Sequence, residues 1–323
     1  MMENMTDKLL KKIDETRCPC VVGLDPRIEQ IPSFLKEHKK HDPNQKRAVA
    51  EIFLEFNQLI IDQIKDVVPA VKPQIAFYEQ YGHYGLKAFE DTVKYAQENG
   101  LIVIGDAKRN DIGSTAQGYA KAFLGKVKGA NDQEIKGIDV DYLTVTPYLG
   151  SDGVKPFIDV CKQYHKGIFC LVKTSNPSSG ELQDKNIEKE NKTIYELVAE
   201  YVAQSGSDLI GVKGYSSIGA VVGATYPEQA KKLRKLMPKT MFLVPGYGAQ
   251  GGGAADVVPC FNEDGYGAIV NSSRGIIFAY KQDEYKNTFK ENHFHFAARQ
   301  AAVEMQKDIY EALKNAGKLP KGW

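Results

Sequence analysis

The chain has 323 residues, of which 42% are hydrophobic and 26% are charged, a composition typical of soluble globular proteins. Its 42 basic and 41 acidic residues leave a net charge of +1, which gives no support for binding to nucleic acid or to a membrane surface. The first 14 residues are polar and no apolar stretch reaches the ~18–20 residues of a membrane span, so we expect neither a signal peptide nor a membrane helix. The five cysteines predict reduced thiols and a cytoplasmic location.

Short apolar runs alternate with longer helical patterns along the chain. Eight runs are predicted as strands, over residues 20–24, 70–77, 101–105, 142–146, 168–172, 220–224, 241–244 and 268–271. Helical spacing lies between them, over 46–68, 82–98, 114–124, 154–164, 193–204 and 227–236, and a final helix covers 294–314. Apolar strands that alternate with helices indicate a parallel sheet covered by helices.

This alternation predicts the fold class. Eight strand–helix units in a chain of this length favour a (β/α)8 TIM barrel, an α/β fold that forms a single domain over residues 1–323. A doubly wound sheet is the structural alternative. Polar stretches at 33–45, 126–136 and 181–192 are predicted as insertions into loops. In a barrel the chemistry gathers at the carboxyl ends of the strands, so the residues that end each run are the candidates.

The third run ends in a cluster of charges. Asp106 and Lys108 are two residues apart on a strand, so they point to the same face, and Asp111 follows in the loop or the first helical turn. Two carboxylates beside one ammonium keep a lysine protonated and in place. Such a group can donate a proton to a developing carbanion or bind a charged substrate. A structural network of ion pairs is the alternative interpretation.

Further polar residues end the other runs. Lys72 interrupts an apolar strand, where an unpaired buried lysine is costly, so a functional or ion-paired role is expected. Asp25 precedes a proline and is compatible with simple capping of a turn. Ser175 lies in a segment with ordinary turn chemistry. Lys173 is compatible with a structural or solvent-exposed lysine.

A glycine-rich stretch follows the seventh run. The spacing of Gly246, Gly248 and Gly251 matches the dinucleotide-binding fingerprint, but it follows the seventh strand rather than the first. A phosphate-binding loop of a barrel fits better. Backbone N–H groups of 251–253 would cradle a phosphate, Gln250 would close over it and Arg274 would bind it by charge-assisted hydrogen bonds. The six histidines fall outside the strand ends, so no metal site is predicted.

Taken together, these residues resemble one family, the orotidine 5′-phosphate decarboxylases. The resemblance covers about residues 18–280 and rests on motifs in a fixed order, which are Gly23-Leu24-Asp25-Pro26, Lys72, Asp106-x-Lys108-x-x-Asp111, Val222-Gly223-Ala224-Thr225, Pro245 through Gly252, and Arg274. It implies decarboxylation of orotidine monophosphate (OMP) to uridine monophosphate (UMP) in de novo pyrimidine biosynthesis, with no metal ion or cofactor. The inserted loops suggest the longer branch of the family.

The same resemblance implies a role for each candidate in the chemistry. Asp25 and Lys72 would bind the ribose hydroxyls. Asp106 would lie against the carboxylate region, and Lys108 would protonate C6 of the pyrimidine. Ser175 would contact the edge of the pyrimidine.

Other roles concern the phosphate and a second subunit. Gln250 and Arg274 would bind the phosphate, and the further substrate-binding candidates are Pro245, Gly251 and Ser273. Ser273 stands where the family often has glycine before the arginine, which leaves the backbone partner of the phosphate open. The resemblance also implies a homodimer with shared active sites, in which Asp111 and Thr115 of one subunit contribute to the site of the other.

Three other functions are compatible with parts of this pattern. A magnesium-dependent decarboxylase of ketogulonate phosphate shares the Asp-x-Lys-x-x-Asp core, although Ser175 and the longer chain favour the pyrimidine substrate. A Schiff-base aldolase would use Lys108 or Lys173 as a neutral amine, and flanking carboxylates disfavour that state for Lys108. A catalytically inactive nucleotide-binding protein is the third, and the intact charged cluster argues against it.

Overall fold

Eight parallel strands form a closed barrel in the computed structural model, which describes residues 3–248 and 251–323. The strands are β1 (Cys20–Leu24), β2 (Ala70–Pro73), β3 (Ile102–Arg109), β4 (Tyr142–Val145), β5 (Gly167–Lys173), β6 (Ser216–Val222), β7 (Thr240–Val244) and β8 (Ala268–Ser272). Each strand pairs with the next along the chain, and β8 closes onto β1. The predicted (β/α)8 TIM barrel is confirmed, and the doubly wound sheet is excluded.

Helices surround the barrel and connect its strands. They are α1 (Met5–Thr16), α2 (Ser33–Glu37), α3 (Gln45–Ile64), α4 (Ala76–Glu79), α5 (Gly82–Glu98), α6 (Gly113–Leu124), α7 (Ser151–Tyr164), α8 (Ile194–Ser205), α9 (Pro227–Leu236), α10 (Ala254–Val257), α11 (Arg274–Ile277) and α12 (Phe294–Asn315). The helices predicted from spacing are confirmed to within four residues at each end. Their apolar stripes pack on the outward faces of the strands and form the larger of two buried clusters.

The N-terminal helix α1 was not predicted, because its segment is polar and charged. Its start is stabilised by a capping box between Asn4 and Asp7. The apolar side chains Leu9 and Ile13 belong to the second buried cluster, which fills the barrel interior. Thr6 hydrogen-bonds to Tyr142 of β4 at 2.7 Å inside that cluster. The helix therefore closes the amino-terminal end of the barrel and leaves the carboxyl end as the open one.

Two strands end elsewhere than the apolar runs suggested. The strand predicted over 70–77 was wrong beyond Pro73, because the chain turns there into α4. Tyr78 of that helix is fully buried, and its hydroxyl hydrogen-bonds to the carbonyl of Leu24 at 3.2 Å and to Asn57 at 2.8 Å. By contrast, β3 is longer than predicted: it continues past residue 105 and includes both Asp106 and Lys108.

The three predicted insertions fold as small local elements. The first contains α2, and the second is an antiparallel hairpin of Lys126–Lys128 with Glu134–Lys136. The third contains a shorter hairpin of Asn186–Ile187 with Lys192–Thr193. That the whole chain forms a single domain stays a prediction.

Candidate active site

A cavity of about 510 Å³ opens at the carboxyl ends of the strands, which is a typical size for a small-molecule site. It lies at the end of the barrel opposite α1, where barrel enzymes carry their chemistry. Eight of the twelve candidate residues line it: Asp25, Lys72, Asp106, Lys108, Ser175, Pro245, Ser273 and Arg274. The strand ends therefore bring together residues that are up to 249 positions apart in the chain.

A row of alternating charges crosses one side of this cavity. The carboxylate of Asp106 accepts a hydrogen bond from Lys72 Nζ on one oxygen and from Lys108 Nζ on the other, each at 2.7 Å. Lys72 and Asp106 are buried, whereas 47% of the Lys108 side chain is exposed toward the cavity opening. Lys108 is thus the most exposed member of the row, and Lys72 and Asp106 line the same cavity.

Burial and charge act in opposite directions on this row. Burial alone would raise the pKa of Asp106, but the charges of Lys72 and Lys108 hold that pKa far below its usual value. For Lys72, burial favours the neutral amine, yet the charges of Asp106 and Asp25 raise its pKa above the usual value. The Lys72–Asp106 pair therefore stays ionised at neutral pH.

Asp25 supplies an unsatisfied acceptor at the end of β1. Its Oδ1 atom is buried and accepts no hydrogen bond within residues 3–248 and 251–323. A buried carboxylate oxygen without a donor is unfavourable, so a hydroxyl group of a bound ligand would stabilise it. Lys72 lines the same cavity, and the charge of Asp25 acts on its ammonium.

Ser175 packs against residues that directly follow β6. A Cβ atom at Gly223 would lie 2.8 Å from the Cα atom of Ser175, so only glycine permits this close approach. Thr225 also donates a hydrogen bond to the carbonyl of Ser175 at 3.2 Å. From the third insertion, Gln183 lines the cavity and bonds to both the backbone N–H and the hydroxyl of Thr174.

Lys173 does not line the cavity, although it precedes this segment. It is fully buried, and its Nζ atom donates to Ser179 at 3.0 Å and to Asp184 at 2.8 Å. Lys173 thus ties the third insertion to β5. The Schiff-base alternative loses one of its two candidate lysines, and the other, Lys108, is ion-paired.

Ser273 and Arg274 lie together at the end of β8. A Cβ atom at Gly23 would lie 1.8 Å from the Ser273 hydroxyl, which shows how closely β1 approaches this segment. Arg274 begins the short helix α11. Among the described residues that line the cavity, the other positive charges are those of Lys72 and Lys108, which belong to the charged row. Ser273 and Arg274 both line the cavity at this end.

The glycine loop differs from the expected phosphate cradle. The N–H groups of Gly251 and Gly252 donate to the carbonyls of Gly248 and Gly246, at 2.8 and 3.2 Å. The N–H of Gly253 donates to Asp256 at 2.8 Å. These three donors are therefore engaged within the loop, and Gly251 does not line the cavity. Gln250 lies outside the residues that the structure describes.

Asp111 and Thr115 do not join the cavity of their own chain. Asp111 accepts a hydrogen bond from the N–H of Ile112 at 2.8 Å, and Thr115 is exposed on α6. The role of Asp111 beside a lysine of the row stays a prediction, and Asp106 is the carboxylate of the same chain that lies beside Lys108. Among the described residues, Asp106 alone pairs with it.

Among the cavity residues that the sequence analysis missed, two lie within apolar runs. Thr144 on β4 hydrogen-bonds to Asp106 at 2.9 Å. Asn271 on β8 has a buried Oδ1 atom without a hydrogen-bond partner in the described part of the chain. A polar side chain near the carboxyl end of an apolar strand was the available signal in both cases.

Comparison with known proteins identifies the family. The model of the orotidine 5′-phosphate decarboxylase / HUMPS family matches residues 21–287 of the chain. The chain belongs to this family. It is 47% identical over 288 residues to the orotidine 5′-phosphate decarboxylase of Rhodopirellula baltica, covering 89% of this chain and 93% of that protein.

Solved structures agree with this assignment. The Leishmania donovani OMP decarboxylase has a TM-score of 0.69 and 27% identity, with 96% of this chain and 98% of that chain covered. The longer Leishmania donovani UMP synthase has a TM-score of 0.72 and 29% identity; all of this chain is covered, but only 58% of that one. The chain thus spans just over half the length of that UMP synthase.

No group of three or more His, Cys, Asp or Glu side chains is arranged to hold a metal ion in the part of the chain that the structure describes. Over the same residues, none of the helices combines the length and apolar character needed to cross a membrane.

Proposed function

We propose that this protein decarboxylates OMP to UMP without a metal ion or an organic cofactor, and that Lys108 protonates C6. The observation that carries the proposal is the row Lys72–Asp106–Lys108, with 2.7 Å contacts, at the wall of a cavity that ends in Arg274. OMP carries a carboxylate, ribose hydroxyls and a phosphate. The cavity offers a complementary group for each of them.

The reaction needs stabilisation of a localised charge. When the bond between C6 and the carboxyl carbon breaks, CO2 leaves and the electron pair stays on C6, in the plane of the ring. No conjugated group accepts that pair. The ammonium of Lys108 therefore stabilises it electrostatically and then transfers a proton from Nζ to C6. Solvent returns the proton to Lys108, whose side chain is partly exposed.

The rest of the cavity supports this step. Leu171, Val221 and Leu243 give it an apolar floor, and a low local dielectric strengthens the attraction between the ammonium and the carbanion. Asp106 holds both lysines in place. Arg274 and Ser273 bind the phosphate, and that remote binding energy positions the pyrimidine over Lys108. We assign the ribose hydroxyls to Asp25 and Lys72, and the pyrimidine edge to Ser175.

A homodimer with shared sites explains the position of Asp111 and Thr115. Four large apolar side chains are exposed around them, namely Ile112, Tyr119, Tyr148 and Leu149, of which Tyr148 is 73% exposed. The loops meet, since a Cβ atom at Gly153 would lie 3.1 Å from the carbonyl oxygen of Asp111 and 3.3 Å from Leu149 Cβ. An exposed apolar patch of this kind marks a protein interface. We infer that a second copy covers it and receives Asp111 beside its own Lys108.

The expected cellular location follows from the thiols. All five cysteines are free and buried: Cys18, Cys20, Cys161, Cys170 and Cys260. Unpaired cysteines support the proposed reducing cytoplasm.

The reaction and its metal independence are tested together in one assay. Purified protein with excess EDTA is mixed with OMP, and the ultraviolet absorbance of the orotate ring is followed while the product is identified by chromatography. We expect rapid loss of the orotate signal and formation of UMP. Absence of turnover, together with magnesium-dependent decarboxylation of a ketogulonate phosphate, would assign the chain to the other branch of the family. UMP binding without any turnover would indicate an inactive nucleotide-binding protein.

Mixing two inactive variants tests the shared site. Asp111→Ala and Lys72→Ala proteins are each expected to be nearly inactive. In a mixed dimer, one site receives Lys72 from one subunit and Asp111 from the other, so it is complete. With random exchange, half of the dimers are mixed and each has one complete site, which predicts recovery of about a quarter of the wild-type activity. No recovery after verified subunit exchange would show that Asp111 serves its own chain.

A further inference from the structure

We propose that Thr144 is a positioning residue for the reaction, because its hydroxyl joins the Asp106 carboxylate to the backbone of Lys108. This inference rests on the proposed function, since it concerns the pose of the proton donor. Thr144 lies on β4, directly beside β3, and is 1% exposed. It touches the two residues whose relative position decides where the ammonium lies.

The hydroxyl of Thr144 makes two hydrogen bonds with fixed direction. Its Oγ1 atom lies 2.9 Å from Asp106 Oδ1 and 2.9 Å from the backbone nitrogen of Lys108. The ionised carboxylate can only accept, so the hydroxyl proton goes to Asp106. The lone pair of the hydroxyl accepts the N–H of Lys108. The Oγ1 atom of Thr144 therefore connects the carboxylate of Asp106 to the backbone of Lys108.

The backbone at this point needs such a partner. The backbone φ angle of Lys108 is +45°, in the left-handed region that residues other than glycine rarely adopt. The register between β3 and β4 shifts here, because Gly105 pairs with Leu143 and Arg109 with Val145, so that four steps on β3 match two on β4. In this bulge the Lys108 N–H bonds to a side chain instead of a strand carbonyl. The Thr144 hydroxyl thus stabilises the conformation that returns Lys108 Nζ to Asp106.

Removal of this hydroxyl has two predicted effects. Thr144→Val keeps the shape of the side chain, but it leaves the Lys108 N–H without its acceptor and removes one of three donors to Asp106. The ammonium then samples positions away from C6. Thr144 is not required for binding the phosphate or the ribose, so the effect falls on kcat rather than on affinity for the product.

The test compares three variants. We expect Thr144→Val to lower kcat for OMP about 10- to 100-fold, the usual effect of a lost hydrogen bond to a charged group, with little change in the Kd of UMP. Thr144→Ser, which keeps the hydroxyl, should restore most of the activity. Thr146→Val is the matched control, because Thr146 lies two residues further along and its side chain makes no hydrogen bond within the described residues.

Several results would overturn the proposal. An unchanged kcat in Thr144→Val, or an equal loss of kcat and UMP affinity, would leave Thr144 as an ordinary core residue. Failure of Thr144→Ser to recover would show that the hydroxyl alone does not carry the effect. The exchange of the Lys108 amide hydrogen gives a readout that needs no turnover: it should be faster in Thr144→Val and slow in Thr144→Ser. If wild-type protein did not convert OMP, the proposed function would fail while this exchange still tested the Thr144 contact.

Discussion

Replacing Lys108 with alanine is expected to lower kcat for OMP by about 10⁴-fold or more, with little loss of UMP affinity. The substitution removes both the positive charge that stabilises the carbanion and the proton that C6 receives. Lys108 is the exposed member of the charged row, while Asp106 remains paired with buried Lys72. The folded state should therefore persist. Single-turnover kinetics and UMP titration measure the two quantities separately.

Two controls separate charge from proton transfer in this experiment. Lys108→Arg keeps a positive charge but stays protonated at all accessible pH values, so it should bind UMP and still fail to protonate C6 efficiently. Lys155→Ala removes an exposed lysine that pairs with Asp159 on α7, and it should leave kcat unchanged. A parallel loss of kcat, UMP affinity and thermal stability in Lys108→Ala would contradict a chemical role.

Replacing Arg274 with alanine is expected to lower kcat/KM for OMP by about 100- to 1,000-fold, mainly through a higher KM. In the proposed function Arg274 supplies the positive charge that binds the phosphate, because the N–H groups of Gly251, Gly252 and Gly253 are engaged within their own loop. Without this charge, the phosphate dianion of OMP loses its charge-assisted hydrogen bonds to the guanidinium. Steady-state kinetics over a wide range of OMP concentration measure the effect.

Orotidine, which lacks the phosphate, provides the matched control for this prediction. Wild-type protein and Arg274→Ala should convert orotidine at the same low rate, because Arg274 has no phosphate to bind in that substrate. A similar loss of activity on orotidine and on OMP would mean that Arg274 supports the fold rather than the phosphate. An unchanged KM for OMP would remove it from the phosphate site.

The barrel was predictable because its strands are buried on both faces. Such strands appear as continuous apolar runs, and the runs at 20–24 and 142–146 match β1 and β4 almost residue for residue. The run at 70–77 misled the prediction, because apolar residues after Pro73 pack as a helical turn around buried Tyr78. Hydrophobicity indicates burial there, but it does not distinguish a strand from a short helix.

The N-terminal helix shows a second limit of the sequence. Its charged residues dominate the composition of the segment, and yet Leu9, Leu10 and Ile13 fill the end of the barrel. Asp7 is buried among backbone donors, because it accepts the N–H groups of Val212 and Lys213. Those partners lie about 200 residues away and become neighbours only in the folded chain.

The charged row was predictable in part. Asp106 and Lys108 stand in one motif, and a lysine in the strand at Lys72 demanded a buried partner, which the structure identifies as Asp106. Thr144 was not recognised, because only the register of β3 against β4 shows that its hydroxyl lies beside the bulge at Lys108. The position of Asp111 outside its own cavity also depends on the course of the loop before α6.

Exchange of the C6 proton of UMP tests the central claim most directly. If Lys108 protonates a carbanion at C6, the same site must also remove that proton, since the forward and reverse steps share one transition state. UMP is incubated with the protein in D2O, and the C6 proton is followed by NMR. We expect it to be replaced by deuterium with wild-type protein and to persist with Lys108→Ala. Exchange at an equal rate in both proteins, or turnover of OMP by a protein that exchanges no C6 proton, would contradict the account.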